Sequence, residues 1–94
     1  MTNLQKLMGE TFDVPKEISM SMVKITLTGS SSLLAENHKG IKEYSEEKIV
    51  FDSVENSVLI YGQRLLLRSL TNDEIFIEGE IAGLSFVEQE KSHG

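Results

Sequence analysis

The sequence predicts an all-β domain, and three observations carry that prediction. Apolar and polar residues alternate with a period of two in short runs, the first being Val23-Lys24-Ile25-Thr26-Leu27-Thr28. The runs are separated by Gly, Asn, Asp and Ser, which tolerate positive φ or bond their own backbone. The apolar centres Ile25, Leu33, Ile41, Ile49, Val58, Leu65, Ile75 and Leu84 recur at intervals of roughly eight residues, the spacing of a sheet built from many short strands. With 94 residues the chain is one small domain.

Residues 1–17 precede the alternating pattern. Leu4, Leu7, Met8 and Phe12 fall near helical spacing, Gly9 weakens that helix and Pro15 stops it, so a short helix or arm is expected. The β domain is expected over residues 18–87. In its first strand Val23, Ile25 and Leu27 share one face. Gly29-Ser30-Ser31 turns the chain into Ser32–Glu36, and Glu36-Asn37-His38-Lys39-Gly40 turns it again. Ile41–Ser45 and Lys48–Asp52 flank Glu46-Glu47. Val58–Tyr61, Arg64–Arg68, Glu74–Glu78 and Ile81–Val87 follow, with breaks at Gly62-Gln63, Thr71-Asn72-Asp73 and Gly79-Glu80. This gives about eight short strands. An antiparallel meander curled into a sandwich or roll fits them, and so does a short β-solenoid; the polar breaks favour hairpins and hence the meander. Residues 88–94 form a charged tail.

Composition removes several function classes. Acids outnumber bases 15 to 9, a net charge of −6, which argues against nucleic acid and anionic lipid as partners. There is no cysteine, hence no disulfide, thiol nucleophile or thiolate metal site. No run approaches the ~18 apolar residues of a membrane span, and Met1–Val14 lacks the apolar core of a signal peptide. A cytoplasmic protein is expected.

The residues that carry chemistry are few. No phosphate-binding loop, nucleophile elbow or zinc-protease motif occurs. His38 reads as a polar turn residue in preference to a general base. Glu43, Glu46 and Glu47 are interleaved with Lys42 and Lys48, the pattern of a solvated face and not of a paired-carboxylate glycosidase site. Arg64 and Arg68 are the only arginines. They are suited to a partner's carboxylate, while pairing with Glu78 or Glu80 on a neighbouring strand is the plainer expectation. Val58-Leu59-Ile60-Tyr61 and Leu65-Leu66-Leu67 are apolar at both parities, more than one face of a small sheet needs. Val58, Ile60, Arg64, Leu66 and Arg68 are therefore the candidate partner-binding residues, with homo-oligomerisation or a second protein as the use. No catalytic, cofactor or metal residues are assigned. A small-ligand β-barrel carrier and an enzyme acting on glycan are the alternatives.

Taken in order, Ile25-Thr26-Leu27-Thr28-Gly29, Glu36-Asn37-His38-Lys39-Gly40-Ile41, Val58-Leu59-Ile60-Tyr61-Gly62, Leu65-Leu66-Leu67 and Glu74-Ile75-Phe76-Ile77-Glu78-Gly79-Glu80-Ile81 resemble the YabP/YqfC family of sporulation proteins, the YqfC branch more closely. The similarity spans about residues 13–87; Ser30–Ser32 and Val54–Ser57 are local departures in turns. The resemblance implies a non-enzymatic protein of the mother-cell programme, acting in spore cortex or envelope formation. A larger membrane-associated sporulation protein is the partner it implies, with recruitment to the forespore envelope.

Overall fold

The computed structural model describes residues 22–89, and all its regular structure is β. Six strands occur: β1 Lys24–Thr28, β2 Ser32–Glu36, β3 Ile41–Tyr44, β4 Lys48–Asp52, β5 Ser57–Leu70 and β6 Glu74–Val87. They form one sheet in the order β1-β2-β6-β5-β4-β3, and every neighbouring pair is antiparallel. A solenoid stacks its strands in parallel, so the antiparallel alternative is the observed one; it is not a simple meander, because β2 pairs with β6 and β3 lies at the opposite edge of the sheet. The helix or arm expected over residues 1–17 lies outside the described residues.

The first four predicted strands stand nearly where the alternation placed them. The last four are two long ones. Val58–Tyr61 and Arg64–Arg68 are halves of β5, and Glu74–Glu78 and Ile81–Val87 are halves of β6. Gly62-Gln63 and Gly79-Glu80 are bends within strands where the sequence suggested breaks.

Chain connectivity requires those bends. Glu36, at the end of β2, aligns with Glu74 of β6. Ile41, at the start of β3, aligns through Phe51 and Val58 with Phe86 of β6. Along a straight strand Glu74 and Phe86 would stand about 40 Å apart at ~3.3 Å per residue. The connection from Glu36 to Ile41 reaches at most about 18 Å. β5 and β6 must therefore fold back together, bringing β1-β2 over β4-β3.

Glycine makes the bend possible. A Cβ on Gly62 would collide with the Glu80 carbonyl oxygen, and one on Gly79 would lie 2.9 Å from the Leu65 Cα, with φ at +145° besides. The register of β5 on β6 slips between Tyr61 and Gly62 and between Gln63 and Leu66, the β-bulge geometry that lets a paired ribbon turn a corner. Arg64 absorbs part of this with φ at +52°, a conformation that costs a side-chain-bearing residue about 1–2 kcal/mol.

Each short hairpin is fastened to one bend. At the β1–β2 turn the carbonyls of Ser31 and Ser30 accept from the N–H groups of Gly79 (3.1 Å) and Ile81 (2.9 Å). At the β3–β4 turn those of Glu47 and Glu46 accept from Gly62 (3.1 Å) and Leu65 (2.8 Å). The corners thus keep their backbone polar groups paired where the ladder is interrupted.

Between the two halves lies one apolar core. Leu33 and Ala35 of β2, Ile49 and Phe51 of β4, Val58, Ile60 and Leu65 of β5 and Ile75 and Ile77 of β6 are buried in a single cluster. Val23, Ile25, Ile41, Leu67, Ile81 and Leu84 pack around it. Inward positions alternate along β2, β4 and the first half of β6, and the bend in β5 shifts the inward parity from Val58 and Ile60 to Leu65 and Leu67.

Candidate interaction surface

The bend decides which apolar residues remain outside. Val58 and Ile60, expected at a docking surface, are 0 % exposed. They correct that expectation: their face of β5 is the one that closes on β2 and β4. Leu65 goes inward with them, and the next residue, Leu66, stands outward at 45 % exposure.

On the outer face of the β1-β2-β6-β5 half, register aligns Thr26, Leu34, Phe76 and Ser69 in one row across the strands. Thr28, Ser32, Glu78 and Leu66 form the adjacent row. Leu34 and Phe76 are directly opposed and half-buried, and Leu66 is diagonal to Phe76. The three make a small apolar patch on the solvent side of the sheet. Leu34 and Phe76 are not among the candidates read from the sequence. Their signal is apolarity at both parities, Leu33-Leu34 in β2 and Ile75-Phe76-Ile77 in β6.

Arg68 frames this patch. Its Nε donates to Glu78 Oε1 at 2.9 Å across the β5–β6 ladder. Arg64 pairs with Glu80, its Nε donating to Glu80 Oε2 at 3.0 Å. Both arginines therefore hold the neighbouring-strand glutamates named from sequence. Both ion pairs are solvent-exposed, where such a pair contributes only about 0–1 kcal/mol. Nearby, the N–H of Leu67 donates to the Tyr44 hydroxyl at 3.2 Å, so part of the free edge of β5 is capped by a side chain of β3.

The other candidates are placed as follows. His38 is buried at 6 % exposure in the β2–β3 connection. Its Nδ1 accepts the Gly40 N–H at 2.9 Å, which leaves Nε2 as the protonated nitrogen of the neutral ring, donating to the Thr71 carbonyl at 2.8 Å. Both nitrogens are occupied by backbone, so the ring acts as a structural tie. Glu43, Glu46 and Glu47 are exposed, and Glu43 pairs with Lys48 at 3.2 Å. Among the described residues no group of three or more His, Asp or Glu could hold a metal ion, and no helix is long and apolar enough to cross a membrane.

Comparison with known proteins gives a consistent picture. The model of the YabP family matches residues 20–93. The chain is 26 % identical over 76 residues to the uncharacterized protein YqfC of Bacillus subtilis strain 168, an alignment covering 81 % of this chain and 82 % of that protein. No solved structure matches.

Proposed function

Since the chain belongs to the YabP family, we propose that it is a non-enzymatic scaffold or adaptor of sporulation that works through its β surface. The supporting observation is the apolar patch of Leu34, Phe76 and Leu66 on the outer face of the β1-β2-β6-β5 half. A protein partner covers this face. In keeping with the family resemblance, that partner is a membrane-associated sporulation protein, and the chain reaches the forespore envelope through it.

The patch suits such a contact because its centre is apolar and its border carries hydrogen-bonding charge. Leu66 and Phe76 supply area that gains from losing water. Arg68 and Glu78 satisfy each other in the free protein, so they impose no unpaired charge when the face is covered. Cortex or envelope formation is the process in which the adaptor acts.

The test is the position of a fluorescent fusion in sporulating cells. The native fusion is expected to ring the forespore and the Leu66→Lys variant to be diffuse, with the purified variant keeping its β circular dichroism. A native fusion that is diffuse, or a folded Leu66→Lys variant that still localises, overturns the proposal. Loss of the partner gene should also make the native fusion diffuse; a ring that persists without it points to self-assembly of copies of this chain.

A further inference from the structure

One border of the apolar patch is made of two opposed carboxylates. Glu36, the last residue of β2, aligns with Glu74, the first of β6. Both stand on the outer face with Leu34 and Phe76, two residues along each strand and so about 7 Å away. Directly opposed residues have Cβ atoms about 5 Å apart, and like charges there repel. Neither carboxylate has an ion pair or a hydrogen bond among the described residues. Lys24 aligns with Glu36 from β1 but forms no ion pair with it. The other border differs, because Arg68 and Glu78 hold each other.

Covering the patch takes water from these carboxylates as well, and Glu36 is already half-buried. A charge that loses water without gaining a counter-charge is costly, so the occupant must bring a cation. A second copy of this chain does not supply one. The chain carries a net charge of −6, and this face sets Glu36, Glu74 and Glu78 against Lys24 and an Arg68 that is already engaged. The site is also the face of a sheet and not its edge. An extended segment lying there would find no ladder for its N–H and C=O groups, whereas a helix pairs its own. Four residues of helix advance about 6 Å, close to the step from the acidic row to the apolar one.

We propose that the outer face of the β1-β2-β6-β5 half takes a basic amphipathic helix of another protein. The apolar stripe of that helix covers Leu34, Phe76 and Leu66, and a lysine or arginine one turn away sits between Glu36 and Glu74. This rests on the adaptor reading above and adds the chemistry of the partner to it. Arginine suits the position best, since its planar fork can donate to both carboxylates at once.

Charge reversal in sporulating cells tests this. A fusion carrying Glu36→Lys with Glu74→Lys is expected to lose the forespore ring. Glu46→Lys with Glu47→Lys, an equal change of net charge at the exposed β3–β4 turn, is expected to keep it. If the first pair unfolds the purified chain, Glu36→Gln with Glu74→Gln decides: it removes a repulsion and no bond, so it should melt no lower than the native protein and still weaken the ring. A folded variant of the Glu36 and Glu74 pair that rings normally, with Leu66→Lys diffuse, overturns the basic helix and leaves the adaptor reading standing. A folded Leu66→Lys variant that rings overturns both. Loss of the ring in the Glu46 and Glu47 control also overturns the proposal and assigns the effect to net charge. With p-benzoylphenylalanine in place of Leu66, light should cross-link the chain to a helix bearing lysine or arginine three or four residues from an apolar side chain. An adduct with a second copy, or with a segment lacking such a base, overturns the proposal.

Discussion

His38 ties the β2–β3 connection to the β5–β6 turn through a hydrogen bond of 2.8 Å from its Nε2 to the Thr71 carbonyl. The connection is the strap that holds the two halves of the sheet together. Its Asn37 N–H bonds to Asp73 on one half, and the Lys39 N–H and Gly40 carbonyl bond to Asp52 on the other. His38 fills the space between with a ring whose other nitrogen serves Gly40.

His38→Ala should therefore cost about 2–3 kcal/mol, since it leaves a backbone donor and an acceptor short of partners in a partly buried site. Urea unfolding measures this as a lower midpoint at unchanged slope. A loss below half a kcal/mol would show that the tie is dispensable. Nitrogen NMR of the neutral ring should show the proton on Nε2.

Gly62→Ala and Gly79→Ala should each disrupt the bend. The obstacle is backbone in both cases, the Glu80 carbonyl for one and Arg64 and Leu65 for the other, so no side-chain rotation relieves it. A cost above about 3 kcal/mol, or failure to fold, is expected. Gly29→Ala is the control: its φ is also positive but a Cβ there meets nothing, so about 1–2 kcal/mol is expected. Thermal melts of the three variants should keep this order.

Phe51→Ala and Leu66→Ala separate core from surface. Phe51 is fully enclosed, and its truncation should cost about 3–5 kcal/mol. Leu66 faces solvent, and its truncation should cost less than about 1 kcal/mol in the isolated protein. Similar losses at both positions would mean that Leu66 is packed, which would remove it from the docking face.

Arg68→Ala should change stability by less than about 1 kcal/mol, because the Glu78 pair is exposed and screened. The same change in 0.5 M salt should be smaller still. A large, salt-insensitive loss would show that the Arg68 stem, and not its charge, holds the outer face.

The sequence by itself determined the local grammar of this protein. Alternation placed Ser32–Glu36 and Lys48–Asp52 as they are observed, because a half-buried strand writes its two faces into neighbouring residues. Charge type and cross-strand reach announced the pairing of Arg64 and Arg68 with Glu80 and Glu78. The order of these segments carried the family resemblance. Tertiary structure decided what a period of two does not encode. A glycine that ends a strand and a glycine that lets two strands cross look alike in sequence; they differ in whether another backbone approaches, as Glu80 approaches Gly62. The same fold-back sent Val58 and Ile60 into the core and left Leu66 outside, since burial depends on which surface the sheet closes upon. It also made His38, a turn residue by sequence, a buried tie to a carbonyl 33 residues away.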